Sequence, residues 1–303
     1  MIEKLTHQHL TWYDVVNPNA EEIRELVTLA SIPLVFTDDL TSPTPHTEAV
    51  CVKGAVKITL DFPIVKRTDI KHPHEVKFIA TKNTFVTIRF EDIQSIDQFK
   101  KDFEVISLLK RSNKKATSGH LMNTLLLRMY KSLDSKLDYL ATGLQEIDAT
   151  IFDEKEKEMV FKISGVGQRL IAFRHALGSH ETALGELYTG ITDAFGKEYQ
   201  ADVLALNEQY LHLIRRVDRQ KQTLNELRET NNALLTTKQN EIMKTLTIIA
   251  FTTFPLTLFA SVFGMNTRNM PFIGGPYDFW IIVGMMAIVS VGFFSYFKYK
   301  RWF

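Results

Sequence analysis

Read at helical spacing, one stretch of the chain carries small and oxygen-bearing side chains along a single face: Asn240, Met243, Thr247, Ala250, Phe254, Thr257, Ser261 and Gly264. Such a face lines water or lets another helix approach closely, and the spacing alone leaves both readings open. Within the same stretch Pro255 donates no amide hydrogen, so the carbonyl of Phe251 loses its intrahelical partner. Bond-making chemistry has no comparable set of residues. The chain has no Ser-His-Asp set, no HExxH, no phosphate loop and no Gly-rich dinucleotide fingerprint, so an enzyme is not expected. Cys51 is the only cysteine, which excludes an intramolecular disulfide and any multi-thiolate metal site. Lys71-His72-Pro73-His74-Glu75 reads as a solvated turn rather than a metal site. The acids Asp153, Glu154, Glu156 and Glu158, interleaved with Lys155 and Lys157, read as a solvated helix junction. Arg215, Arg216, Arg219 and Lys221 read as an exposed helix face.

The elements that must carry the stripe follow from hydropathy. Residues 246–265 run twenty positions without a charge, enough helix to cover roughly 30 Å, the thickness of a bilayer's hydrocarbon layer. Residues 279–297 form a second uncharged run, followed by Lys298, Lys300 and Arg301. Lys238 and Lys244 precede the first span, and the short segment between the spans carries Arg268 and Asp278. The excess of basic residues therefore places both termini in the cytoplasm, with a basic ring of Lys298, Lys300 and Arg301 at that interface. Tyr277, Trp280 and Trp302 stand where an interfacial aromatic belt lies. The N-terminus lacks a basic stretch followed by an apolar one, so no cleaved signal is expected.

The mean hydropathy of -0.07 averages over a charged first four-fifths and an apolar end. A net charge of +1 carries no electrostatic footprint for nucleic acid. Residues 1–112 alternate β-rich runs (9–16, 48–53, 56–65, 74–81 and 85–90) with helical ones (20–30 and 93–109), an α+β cytoplasmic domain. Residues 113–195 read as a helical hairpin region, with divisions near 155–158 and 188–196. Residues 196–245 form a stalk in which Val203, Leu206, Tyr210, Leu213, Val217, Leu224, Leu227 and Leu234 recur at alternating helical spacing, interrupted by Gln220 and Asn231. No breaker separates this stalk from the first span at 246–265. One helix from residue 196 to 264, about 100 Å long, is expected. An outer loop at 266–278, a second span at 279–297 and a basic tail at 298–303 complete the order. Two helices cannot enclose a pore, so a conducting role requires several copies around the stripe.

Gly264-Met265-Asn266 ends the first span, Met270-Pro271 follows, and residues 240–250 (NEIMKTLTIIA) lead into that span. With Pro255-Leu256-Thr257 between them, these motifs resemble the CorA family of divalent-cation channels. The resemblance implies a funnel-shaped homopentamer in the inner cell membrane that conducts magnesium, with cobalt or nickel as companion ions, and requires no cofactor. It implies that Asn266 and the Gly264 carbonyl, with Met265 between them, form an outer ring for a hydrated cation. It further implies polar rings at Asn240 and Thr257 and a gate at Met243, Leu246 and Phe254. Magnesium sheds its water shell reluctantly and prefers oxygen ligands, which suits an entrance of amide and carbonyl oxygens. An inward potential supplies about 4.6 kcal/mol for two charges per 100 mV. The expected partners are other copies of the chain, the lipid bilayer and divalent cations, magnesium serving also as a regulatory ion. Departures from the family pattern are Arg268 and Phe272 in the outer loop, Ser261 where glycine is frequent and Phe254 where methionine is common. The regulatory acid of the family falls on Ala205, leaving Asp202 and Glu208 as the nearest carboxylates. A zinc transporter of the ZntB type and a membrane-anchored scaffold or sensor are the alternatives.

Overall fold

A computed structural model describes residues 2–44, 46–63, 74–109, 117–265 and 275–300, with backbone alone at 106–109. The chain divides into two compact units, Met1–Arg228 and Glu229–Phe303.

The first unit is built on a six-stranded sheet in the order β1-β2-β6-β5-β4-β3: β1 Ile2–His7, β2 Leu10–Val16, β3 Glu48–Val52, β4 Ala55–Phe62, β5 His74–Thr81 and β6 Thr84–Arg89. Only β2 and β6 pair in parallel. The period-two alternation of these strands sorts the two faces. Tyr13, Val15, Val86 and Ile88 bury against helix α1 (Ala20–Ala30) in one core cluster. Their alternates Trp12, Asp14, Phe85, Thr87 and Arg89 take the other face, where Trp12 meets Phe99 and Phe103 of α2 (Gln94–Leu109). Helix α1 starts on a capping box in which Asn19 and Glu22 satisfy each other's backbone amides.

The second face holds a buried polar network. The Trp12 indole donates to the Thr87 hydroxyl at 3.0 Å, and Thr87 donates to Asp14 at 2.7 Å. Arg89 donates to Asp14 at 3.0 Å and to Asp97 at 2.6 Å, while Lys100 reaches Asp14 at 2.9 Å. Burial pushes the Asp14 carboxyl up, but Arg89, Lys100 and Thr87 together outweigh it and hold the group below its ordinary value.

Helices α3 (Ser118–Thr150), α4 (Glu156–Gly178), α5 (His180–Phe195) and the first part of α6 (Gln200–Phe263) complete the unit. Helix α5 lies on β3 and β4, and α3 on β5 and β6. Gly196 closes α5 with φ +108, a backbone state that side chains disfavour. In α6, Val203, Leu206, Tyr210, Leu213, Val217, Gln220, Leu224 and Leu227 are all buried, at strictly alternating three and four spacing. Gln220 keeps that row by donating to the Leu137 carbonyl of α3 at 2.9 Å. The second unit contains the rest of α6 and α7, Asp278–Tyr299.

Strands β2 to β6 and the first two helices fall within three residues of the expected bounds, and α6 is one helix of 64 residues, as the missing breaker implied. Three differences stand out. Strand β1 went unpredicted because Glu3 and Lys4 mask the period of a short edge strand. A break at Ser179 divides α4 from α5, signalled only by Gly178-Ser179. Arg216, expected on a solvated face, instead pairs with Asp134 and Asp138 of α3.

The break at Ser179 presents His180 to the core. Its Nε2 donates to the Asp61 carbonyl at 2.7 Å, so the neutral ring accepts at Nδ1 from the Tyr130 hydroxyl at 2.8 Å. Burial lowers the His180 imidazole to about 4, against the pull of the Asp61 carbonyl. Between pH 6.5 and 4 the unfolded chain holds a proton that the folded chain refuses, so acidification removes up to about 3 kcal/mol through this residue. The Asp61 carboxyl, pushed up to about 6 by burial and by Glu75, works in the opposite direction, gaining stability as pH falls through 6. Asp61→Asn should therefore steepen the loss of Tm between pH 6.5 and 4, and His180→Phe should flatten it, both readable by scanning fluorimetry.

Candidate functional site

In the second unit the chain presents apolar surface that the described residues leave largely uncovered. Of the apolar window in α6 only 6% is buried, and of that in α7 none. A soluble core helix of that composition would be mostly buried. Phe254 is 78% exposed, Ile288 74% and Val291 65%. Such surface is stable only in contact with lipid or with other protein.

What cover α6 does receive falls on one side. Ile248 is buried, and Thr252, Pro255, Leu256, Phe259 and Phe263 are half-buried, recurring every three or four residues. The residues Ala250, Phe254, Thr257, Ser261 and Gly264 lie on the far side and are all exposed, as are Asn240, Met243 and Leu246 closer to the start of the span, with Thr247 half-buried. At 100° per residue, positions 252 and 254 point about 200° apart. The small and hydroxyl-bearing stripe is therefore not packed against the chain's own second span.

The threonines along this part of α6 share one bonding pattern. Thr247 donates to the Met243 carbonyl at 2.7 Å, Thr253 to Ile249 at 2.9 Å and Thr257 to Thr253 at 2.9 Å. Each hydrogen is committed to the helix's own backbone four residues earlier, so each oxygen turns lone pairs outward. An oxygen whose hydrogen is committed in this way attracts a cation or the water around it. At Pro255 the helix continues with one amide fewer, leaving the Phe251 carbonyl as a further acceptor.

The helix ends tightly. The Gly264 amide bonds the Ala260 carbonyl at 2.9 Å, and a Cβ added at Gly264 would stand 2.8 Å from that same oxygen. Glycine is required there by close approach to backbone. Met265 is exposed, whereas Asn266, Arg268, Met270, Pro271 and Phe272 lie outside the described residues. Lys298 and Lys300 end α7 exposed; Arg301 and Trp302 lie outside the described residues, as do Lys71, His72 and Pro73.

Asp202 and Glu208 are not brought together. Asp202 stands 3.3 Å from the His120 ring, and Glu208 is exposed on another side of α6. Among the described residues no group of three or more His, Cys, Asp or Glu side chains is arranged to hold a metal ion.

Comparison with known proteins agrees with this architecture. A family profile described as "CorA-like Mg2+ transporter protein" matches residues 7–301. The "Cobalt/magnesium transport protein CorA" of Thermotoga maritima is 28% identical over 188 residues, 57% of this chain and 52% of that protein, so the chain spans about half the length of this relative. The "Magnesium transport protein CorA" of Campylobacter jejuni strain RM1221 is 22% identical over 97% of this chain and 92% of its own. Among solved structures, the CorA magnesium transporter from Methanocaldococcus jannaschii superposes with a TM-score of 0.84 at 20% identity, covering 99% of this chain and 94% of that one, which establishes a shared fold.

Exposed positions on the apolar surface should not accept charge. Ile288→Asp and Val291→Asp, at side chains 74% and 65% exposed near the middle of α7, should each cost about 2.5–3.5 kcal/mol of insertion and release the chain from membranes on alkaline carbonate extraction.

Proposed function

This chain belongs to the CorA-like Mg2+ transporter family, and from that membership we propose that five copies form a channel that lets divalent cations, magnesium first, enter the cell down the membrane potential. The observation that carries the reading is the row of outward-facing acceptor oxygens on α6, turned away from the covered side of that helix. Copies arranged with these rows inward enclose a wet axis, and their remaining apolar surface meets lipid. Thr257 and Asn240 then form polar rings, and Met243, Leu246 and Phe254 narrow the path between them as a hydrophobic gate.

At the outer end, Asn266 and the Gly264 carbonyl receive the cation with its water shell intact, which avoids the cost of dehydrating magnesium. Tight termination of α6 at Gly264 supports this role, because it fixes where the carbonyls at the mouth stand. Thr247, Ala250 and Ser261 keep the passage wide enough for a hydrated ion. Lys298, Lys300 and Arg301 ring the inner interface, with both termini in the cytoplasm. No acid is placed here as a sensor of internal magnesium; Asp202 and Glu208 remain the carboxylates nearest the family's position in sequence.

Purified protein in liposomes should take up magnesium when a negative internal potential is imposed. Asn266→Ala should lower that flux at least tenfold, and Gly264→Ala should lower it by shifting the last turn off the Ala260 carbonyl. Thr257→Leu and Ser261→Leu should block it while leaving assembly intact on size-exclusion chromatography. Flux of zinc alone, or normal magnesium flux in all four variants, overturns the reading.

A further inference from the structure

The first unit presents two patches that join apolar side chains to charge, and the charge differs in sign. One is a knob at the end of α1, where Leu29 is 53% exposed, Leu34 79% and Val35 57%. Buried Ile32 and Phe36 anchor it from within. Ser31, with φ 52, turns the chain out of α1, and the turn is closed by bonds from the Ile32 amide to the Val27 carbonyl at 3.0 Å and from the Phe36 amide to the Pro33 carbonyl at 2.9 Å. Apolar side chains held toward solvent by a fixed turn mark a contact with another molecule.

The border of the knob is acidic. Glu21 and Glu25 share the α1 face that ends in Leu29, Asp38 and Asp39 follow the turn, and all four are exposed. Arg24 is the only base between residues 20 and 40.

The second patch runs along α6. Leu204, Leu211, Arg215 and Arg219 each stand two positions from a member of the buried row, about 200° around the helix, so they face away from what that row packs on. Leu204 is exposed and Leu211 half-buried. Arg216 is committed to Asp134 and Asp138, whereas the side chains of Arg215 and Arg219 make no ion pair among the described residues. Of the acids nearby, Asp218 is paired with Arg174 at 3.5 Å, which leaves Glu208. This patch is basic where the knob is acidic.

Copies related by rotation about one axis join unlike surfaces, so each copy must carry two patches that complement each other. The knob and the α6 patch meet that requirement in apolar character and in sign of charge. We propose that in the assembled oligomer the knob of one copy docks on the 204–219 side of α6 in the next, with Asp38 and Asp39 against Arg215 and Arg219. The inference rests on the multi-copy reading of the channel and adds the surface through which the first units hold one another.

Full-length protein carrying Cys51→Ser, Leu34→Cys and Leu204→Cys is reconstituted in nanodiscs and oxidised with copper phenanthroline, and linked chains are read on denaturing gels. The pair should give a ladder of dimers and higher bands, and either new cysteine alone should give none. Leu34→Cys combined with Phe161→Cys, an exposed position on α4, should stay unlinked. Arg215→Glu with Arg219→Glu should lower the linked fraction about fivefold, and Asp38→Lys with Asp39→Lys in the same chain should restore it. Size-exclusion chromatography separates the two ways to fail. An oligomer whose cysteines stay unlinked, link equally well to Phe161→Cys or ignore the charge reversals overturns this interface alone, whereas a monomer overturns the multi-copy channel with it.

Discussion

The constraint on which the rest depends is apolar surface that the chain itself leaves uncovered. The last third of α6 and most of α7 expose phenylalanine, isoleucine and valine side chains that none of the described residues shields. Water would not tolerate them, whereas a bilayer does, and there every backbone amide and carbonyl must be satisfied within the segment. The helical form of both segments follows from that requirement, and the lone exception at Pro255 stands out because it frees a carbonyl where the medium otherwise forbids one.

Against this background the threonines of α6 acquire meaning. In hydrocarbon an unsatisfied hydroxyl is costly, and each of these donates to the carbonyl four residues back. That bond removes the hydrogen from the outward surface and leaves acceptor lone pairs. The same local bond thus makes the side chain tolerable at membrane depth and biases the face toward cations. Selectivity for charge sign in the proposed pore needs no charged side chain along this stretch, and the sequence has none between residues 246 and 265.

The first unit shows the converse economy, with the buried Asp14, Lys57, Lys77 and Arg89 each beside an opposite charge. Asp14 is held by three donors, His180 by one donor and one acceptor, and Lys77 by Glu75 together with the carbonyls of Asp39 and Ser42. These networks tie α2 to the sheet, α5 to α3, and the segment before β3 to β5.

Much of this was legible in the residues. Twenty uncharged positions specify a span by length alone, the lack of a breaker between the stalk and that span specifies one helix, and Gly264-Met265-Asn266 with its flanking residues specifies the family. These are local properties, carried by the composition and period of a single segment. Other features were not legible because they are relations between segments distant in the chain. Arg216 looked solvated until α3 supplied two aspartates, and His180 looked like an ordinary helix residue until Tyr130 and Asp61 closed around it. The stripe on α6 fitted a water path and a dry helix contact equally well in sequence. Only the tertiary structure shows which side the chain itself covers, because that depends on what else packs there, and the cover fell on Ile248, Thr252 and Phe259 rather than on Ala250, Phe254, Thr257 and Ser261.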